Sequence, residues 1–174
     1  MVRNHTLSIH HERHSLRYPG WDYSSPAGYF VTICTHERER LFGEIRDGEM
    51  IPNGYGLMVL SVWHALSSHY SCIDLDEFVV MPNHIHGIVW ISRMPNPVGA
   101  GLKPAPTARY ALPEIIRGLK TFSAHRINRL RGTPGIPVWQ RSYHDRIIRN
   151  RAELEAFRTY IRNNPSKWLE DEYA

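Results

Sequence analysis

Two strand-like segments joined by only two residues place the strongest constraint on the fold of this 174-residue chain. Asp76–Met81 and His84–Ile91 are rich in apolar and β-branched residues, and the intervening Pro82-Asn83 is typical of a tight turn. A link this short joins antiparallel neighbours, because parallel strands need a crossover of about a dozen residues or more. The sequence therefore predicts a sheet built around an antiparallel hairpin.

Further strands and helices surround this hairpin. Tyr29–Thr35 reads as an earlier strand, a second hairpin is predicted at the Asp47-Gly48 turn, and a short strand is predicted at Val138–Gln140. Apolar residues recur at helical spacing in three segments: 54–70, 112–130 and 151–163. The order predicts an α+β fold, with an antiparallel sheet of four to five strands and helices packed on one face.

The length of the chain predicts one compact domain. We expect residues 1–26 to form an N-terminal arm, residues 27–168 the folded domain and residues 169–174 an acidic tail. Residues 94–107 are rich in Pro and Gly and are predicted to be a flexible insertion.

Charge is distributed unevenly along the chain. The formal net charge is +4, which divides into −2 over residues 1–108 and +6 over residues 109–174. Eighteen of the 21 basic residues are Arg, whose planar guanidinium suits phosphates and base edges. Nucleic acid is therefore a candidate partner.

The two cysteines, Cys34 and Cys72, lie in apolar segments without a C-x-x-C pair, which predicts reduced thiols in a cytoplasmic protein. The first residues lack the apolar core of a signal peptide, and no run approaches the length of a membrane span. The sequence predicts a protein that works away from membranes.

Two histidines share one face of the predicted strand His84–Ile91. Because side chains alternate along a strand, His84 and His86 point the same way, about 7 Å apart along the backbone. Two neutral imidazoles in this arrangement can converge on one divalent cation if a third group closes the site. The alternative is a pair of polar residues on a solvated strand face.

The last predicted helix carries a phenol and an amide one turn apart. Tyr160 and Asn164 therefore share a face, and they can place a nucleophile beside a metal ligand. The alternatives are that Tyr160 only packs at the edge of the apolar stripe, and that Asn164 only ends the helix before Pro165. A fraying last turn would hold a ligand less firmly.

Three segments together resemble a known family: Pro82-Asn83-His84-Ile85-His86, Val138–Asn150 and Tyr160-Ile161-x-x-Asn164-Pro165. They are similar to the HUH (histidine-hydrophobe-histidine) single-tyrosine transposases, and most of all to the REP-associated tyrosine transposases. The resemblance covers about residues 17–165 and implies a ferredoxin- or RRM-like HUH fold. It also implies a single-stranded DNA endonuclease and strand transferase that acts on hairpin, REP-like palindromic DNA through a 5′-phosphotyrosine intermediate.

The resemblance assigns roles to individual residues. His84 and His86 would bind Mg²⁺ or Mn²⁺, Tyr160 would be the nucleophile, and Asn164 would stand where relatives place a polar metal ligand. The alternative third ligand comes from the segment before the last helix, at His144 or Asp145.

Several side chains are candidates for DNA contacts, although a solvated surface position is the alternative for each arginine. The basic candidates are Arg17, Lys120, Arg126, Arg141, Arg146 and Arg149. The candidates for base stacking are Tyr18, Trp21 and Trp139.

Two other functions fit the same residues. One is a domesticated relative that binds DNA hairpins without cutting them, and the other is a metal-dependent phosphodiesterase that uses water. Relatives include monomers and also homodimers that exchange the tyrosine helix, and both states stay open for this chain. The resemblance implies a bacterial-type cytoplasmic protein associated with the nucleoid.

Overall fold

The computed structural model describes residues 20–92, 110–170 and 173. Within them the chain forms six strands and three α-helices. The strands are β1 Ala27–Cys34, β2 Gly43–Arg46, β3 Glu49–Pro52, β4 Ile73–Val80, β5 His84–Ile91 and β6 His144–Ile148. The helices are α1 Gly54–His69, α2 Leu112–Arg131 and α3 Arg151–Asn163. This order confirms the predicted α+β class.

Four antiparallel strands form the central sheet in the order β4-β5-β1-β6. The predicted hairpin is the β4–β5 pair, and β2 and β3 form a separate two-stranded sheet. β1 and β5 lie in the middle and are buried along almost their whole length. Thr32 of β1 pairs with His86 of β5 on one side and with His144 of β6 on the other. The centre of the sheet therefore brings the paired-histidine strand next to both flanking strands.

α1 and α2 pack on one face of the sheet and form the main hydrophobic core with it. Val31 of β1, Leu66 of α1 and Leu119 of α2 are fully buried members of this one cluster. Gly87 of β5 lets the core close tightly, since a Cβ at Gly87 would lie 2.5 Å from the indole of Trp63. The absence of a side chain at Gly87 thus allows α1 to approach β5 closely.

α3 packs on the opposite face, which corrects the expectation that the helices lie on one face only. Phe30 and Ile88, which alternate with the residues of the main core, form a second cluster with Ile161 of α3. Both faces of β1 and β5 are therefore apolar enough to be covered. Periodicity within each segment identified the helices correctly but did not define which face each would cover.

The strand before α3 lies later than predicted. Val138–Gln140 is not a strand: Trp139 forms a single bridge with Thr35, and β6 begins at His144. The Trp139 indole instead packs against Phe42 and donates a hydrogen bond to Ser123 Oγ at 2.9 Å. Side-chain packing of the tryptophan, and not strand pairing, fixes this segment.

Both ends of α3 are well defined. Asn150 caps the first turn, because its Oδ1 accepts from the Glu153 N–H at 2.9 Å. Asn164 has helical dihedrals, φ −59° and ψ −43°, and is 2% exposed. Pro165 then begins a short 3-10 segment, Pro165–Glu170. The last turn of α3 is therefore helical and packed against the protein, and it does not show the fraying that would weaken a ligand site.

Several predictions lie outside the described residues, namely the insertion 94–107, most of the arm, and Arg17 and Tyr18 within that arm. Cys34 and Cys72 are both buried and are not joined in a disulfide, as expected. In the described parts of the chain, every helix is too short or too polar to cross a membrane.

Candidate active site

His84 and His86 lie side by side beneath α3. Both side chains are fully buried, and their Nε2 atoms are 3.0 Å apart. Alternation along β5 turns both rings toward α3, while Ile85 and Gly87 face the main core. The two imidazoles, which the sequence places on one strand face, therefore approach each other through their Nε2 atoms.

The other ring nitrogen of each histidine has a polar partner. The Nδ1 of His84 lies 2.7 Å from Asn83 Oδ1, and the Nδ1 of His86 lies 2.8 Å from Thr32 Oγ1. When each Nδ1–H donates to these oxygens, the Nε2 atoms keep their lone pairs for a metal ion. The Asn83 oxygen can only accept and therefore favours this tautomer of His84, and the Thr32 hydroxyl is compatible with it at His86.

The donor set fits a divalent cation. Nitrogen ligands at about 2.1 Å in adjacent octahedral positions lie about 3 Å apart, which is the separation of the two Nε2 atoms. Among the described residues, no three His, Cys, Asp or Glu side chains gather as a metal site. His144 and Asp145 line the cavity beside His86 but form no such group with the histidine pair. Asn164, His144 and Asp145 stay predictions as the third ligand.

Tyr160 extends from α3 over the histidine pair. Its hydroxyl lies 3.4 Å from the His86 Nε2, and its ring meets the His86 ring edge to face with centroids 5.1 Å apart. Tyr160 is 40% exposed, and its hydroxyl faces the pair of Nε2 atoms. Asn164, one turn later, lines the same surface groove of about 790 Å³ as Tyr160. The structure thus brings Tyr160 to His86 and places Asn164 on the same buried side of the helix.

A second cavity, of about 400 Å³, opens above His86 between β1, β6 and α3. Its walls combine aromatic rings, a carboxylate and a guanidinium. The lining residues are Phe30, Thr32, His86, His144, Asp145, Arg146, Ala156, Phe157, Tyr160 and Tyr173. Tyr160 lines both this cavity and the outer groove.

Tyr173 is a site residue that the sequence reasoning missed. Its ring centroid lies 5.4 Å from that of His84 and 5.8 Å from that of His86, and its carbonyl accepts from Asn83 Nδ2 at 2.7 Å. The guanidinium of Arg38 lies over the same ring at 5.5 Å. The acidic residues around Tyr173 suggested only a solvated tail, and no local pattern indicated that its ring returns to the histidines.

The basic candidates are dispersed over the molecule. Among those described, Arg146 lines the cavity above His86, whereas Arg126 lies in an outer groove between α1 and α2 on the far face of the sheet. Arg141 and Arg149 are exposed, Arg141 in the loop before β6 and Arg149 just before α3. Arg17 lies outside the described residues.

Lys120 is largely buried and supports the chain before β6. Its ammonium donates to the carbonyls of Gln140, Arg141 and Ser142 at 3.0, 3.3 and 2.8 Å. Burial lowers its pKa to about 8. The amine is therefore directed into the protein, and its observed contacts are with the loop that leads to the site.

The stacking candidates differ in exposure. Trp139 is only 7% exposed and its ring is fixed by Phe42 and Ser123, which corrects its assignment to base stacking. Trp21 is 38% exposed and donates to the Tyr29 hydroxyl at 3.0 Å, so its ring remains accessible. Tyr18 lies outside the described residues.

The sequence matches no family model. It is 32% identical over 182 residues to an uncharacterized protein of Haemophilus influenzae, and the match covers 99% of this chain and 98% of that protein. Identity at this level over nearly the whole of both chains indicates a common fold.

Among solved structures, a REP-associated tyrosine transposase bound to a REP hairpin has a similar fold, with a TM-score of 0.55. The sequences are 17% identical, and the match covers 82% of this chain and 68% of that one. At 17% identity this similarity is one of fold, that is, of the arrangement of strands and helices. It agrees with the HUH fold that the family resemblance implies.

Proposed function

Because the chain belongs to one protein family with the Haemophilus influenzae relative and folds like a REP-associated tyrosine transposase, we propose that it is a single-stranded DNA endonuclease and strand transferase of the tyrosine-transposase type. The observation that supports this most directly is the Tyr160 hydroxyl, 3.4 Å from an Nε2 that itself lies 3.0 Å from a second Nε2. A nucleophile and two metal-ligand nitrogens converge at one point.

His84, His86 and Asn164 would hold the divalent cation, Mg²⁺ or Mn²⁺. When bound, the cation withdraws negative charge from the scissile phosphate, which otherwise repels a nucleophile. Asn83 and Thr32 would accept from the Nδ1–H of each imidazole, which leaves both Nε2 atoms to bind the cation. The protein therefore orients the donors before the substrate arrives.

Tyr160 supplies the covalent step. Its oxygen attacks the phosphorus, a Tyr–O–P bond forms and the P–O3′ bond breaks, while the phenolic proton is lost and the leaving 3′-oxygen gains a proton. The products are a 5′-phosphotyrosine and a free 3′-hydroxyl. The reverse attack of a 3′-hydroxyl rejoins the strand, so the cycle needs no external energy source.

The substrate we propose is single-stranded DNA next to a hairpin. The structural neighbour is bound to a REP hairpin, and a strand that crosses Tyr160 can occupy the outer groove and the cavity above His86. Arg146 lies at that cavity, where its guanidinium can contact a phosphate. A protein with this activity works on DNA in the cytoplasm.

The test is a denaturing gel of the protein incubated with a hairpin oligonucleotide that carries a single-stranded flank, together with Mg²⁺ or Mn²⁺. We expect a covalent protein–DNA band that disappears in Tyr160→Phe and in His84→Ala. Tyr70→Phe, on the far face of the sheet, is the matched control and should leave the band unchanged.

Two outcomes point to the other functions. Cleavage that survives Tyr160→Phe without a covalent band indicates a phosphodiesterase that uses water. Hairpin binding without cleavage in the unmodified protein indicates a non-cleaving DNA-binding protein.

The role of Asn164 has a separate test. Metal titration by calorimetry should show weaker binding in Asn164→Ala than in Asn163→Ala, which changes the exposed neighbouring amide. Equal affinity in the two variants rejects Asn164 as a ligand.

A further inference from the structure

Two ion pairs join the tyrosine helix to the edge of the sheet. Arg158 of α3 donates from Nε and Nη2 to the two carboxylate oxygens of Asp76 on β4, at 3.0 and 2.7 Å. One turn later, Arg162 donates from Nε to Glu77 Oε1 at 2.8 Å. We call these four residues the carboxylate clamp.

A β-bulge explains why adjacent residues of one strand can both reach the helix. The pairing of β4 with β5 shifts register between Leu75 and Phe78, and Asp76 and Glu77 lie within the shift. Neighbouring residues of a regular strand point to opposite faces, whereas a bulge redirects a side chain. Both carboxylates therefore face α3, where Arg158 and Arg162 are spaced by one helical turn.

The Asp76 half of the clamp is the better ordered. Its carboxylate accepts two bonds from Arg158, one from the Trp90 indole at 3.2 Å and one from the Glu77 N–H at 2.8 Å. The Asp76 side chain is only 14% exposed, so water competes weakly for it. The Arg162–Glu77 pair is more exposed, at 55% and 31%, and should contribute less.

The clamp and the nucleophile lie on opposite edges of the buried side of α3. Successive residues of an α-helix turn by about 100°, so Phe157 and Ile161 face the sheet, with Arg158 and Arg162 on the edge near β4. Tyr160 lies on the other edge and reaches His86. Rotation of the helix about its axis would therefore move Tyr160 away from the histidines while the clamp broke.

We propose that the carboxylate clamp, with Asp76 as its main member, is a positioning device that sets the rotation of α3 and so holds the Tyr160 hydroxyl beside His86. This inference rests on the proposed role of Tyr160 as the nucleophile. Beneath α3 lies a small buried cluster of Phe30, Ile88, Ile148 and Ile161, with Phe157 stacked on Phe30. The ion pairs add directional contacts at the β4 edge of this apolar contact.

The competing interpretation is that Arg158 contacts DNA and that its pairing with Asp76 has no positioning role. The two interpretations differ in what Asp76→Asn does. A positioning role predicts a slower covalent step at saturating DNA, whereas a DNA-contact role predicts tighter DNA binding once the carboxylate charge is removed.

The experiment measures the rate of the covalent band as a function of hairpin DNA concentration in four variants. In Asp76→Asn, the rate at saturating DNA should fall by roughly tenfold to a hundredfold, as expected when a reacting group is misplaced by about 1 Å, while the half-saturating DNA concentration changes little. Arg158→Lys keeps the charge but loses the two-pronged contact, so its rate should also fall. Glu77→Gln should show a smaller decrease.

The fourth variant, Asp74→Asn, is the matched control. Asp74 lies on the same strand but is exposed, and it accepts from Ser92 Oγ at 2.9 Å. Its rate should equal that of the unmodified protein.

A measurement without DNA or metal completes the test. With 3-fluorotyrosine incorporated at position 160 of the full-length chain, the ¹⁹F resonance should be single and narrow. It should shift or broaden in Asp76→Asn and stay unchanged in Asp74→Asn.

The proposal is overturned if Asp76→Asn changes neither the rate nor the resonance, or if it only lowers the half-saturating DNA concentration. If the unmodified protein forms no covalent band, the proposed function fails, and the fluorine resonance still tests the clamp. A melting curve of each variant separates loss of position from loss of fold. Among the clamp variants, Glu77→Gln is the mildest change.

Discussion

The two faces of the central sheet are covered by helices in different ways. On one face, α1 and α2 enclose a large apolar core that includes Trp63, Leu66 and Leu119. On the other, α3 covers three buried apolar residues of the sheet and two buried histidines, and ion pairs lie along its edge. The first face supplies stability through area removed from water. On the second face, polar groups whose positions matter chemically replace part of the buried apolar area. A substitution there should therefore change activity more than folding.

The largest effect on stability is expected on the α1–α2 face. Leu66→Ala removes a fully buried side chain and should lower the free energy of unfolding by about 2–5 kcal/mol. Urea denaturation measures this loss. The rate of the covalent band per folded molecule should stay the same, and a parallel loss of rate would show that the two faces are not separable.

A pH-dependent effect is expected on the α3 face. The hydrogen bonds from Arg158 hold the pKa of Asp76 below its ordinary value of 3.8. A carboxylate whose pKa is lower in the folded protein stabilises the fold above its unfolded pKa, and this stabilisation is lost as the pH falls through the folded pKa. At pH 7, Asp76→Asn should therefore lower the free energy of unfolding by less than Leu66→Ala does, and the difference from the unmodified protein should shrink below pH 3.8.

Urea denaturation of both proteins across this pH range checks that prediction. Leu66→Ala serves as the comparison, because its cost comes from apolar packing and should vary little with pH. A difference for Asp76→Asn that stays constant down to low pH would contradict the charged pairing.

Two buried hydroxyls allow a matched comparison of the faces. Thr32→Val removes the oxygen that faces Nδ1 of His86 and should weaken metal binding by about 10–100-fold. Ser123→Ala removes the oxygen that accepts from the Trp139 indole on the other face and should leave metal affinity unchanged. Calorimetric titration with Mn²⁺ measures both, and equal affinities would mean that Thr32 does not orient His86.

The smallest effect is expected from Tyr173. Its ring lies against both histidines and forms part of the cavity wall, so it narrows the space that we propose for DNA. Tyr173→Ala should therefore raise the initial rate of the covalent band several-fold, with the gain appearing mainly as a lower half-saturating DNA concentration. An unchanged or slower rate would show that the ring does not compete with DNA.

Much of the fold follows from local patterns in the sequence. The apolar spacing predicts α1, α2 and α3 to within about a residue of the observed ends, and the two-residue turn predicts the β4–β5 pair. The alternation along β5 also predicts that His84 and His86 share a face. These features depend on neighbours within one or two turns, which the sequence displays directly.

The features that the sequence did not predict depend on distant partners. Trp139 reads as a strand residue but is fixed by Phe42 and Ser123. Asp76 and Glu77 can both face α3 because of a bulge that no local pattern marks. Tyr173 contacts the histidine site although it lies 90 positions after Asn83. Tertiary packing decides such cases, and it overrides local preference.

The separation of the site residues along the chain also bears on synthesis. Thr32 and His86 are 54 positions apart, and His86 and Tyr160 are 74 apart. Contacts of such long range are slow to form, and a growing chain makes its N-terminal part first. A nascent chain thus contains the histidine pair before it contains the proposed nucleophile, so an unfinished molecule on the ribosome would lack the group that we propose for the covalent step.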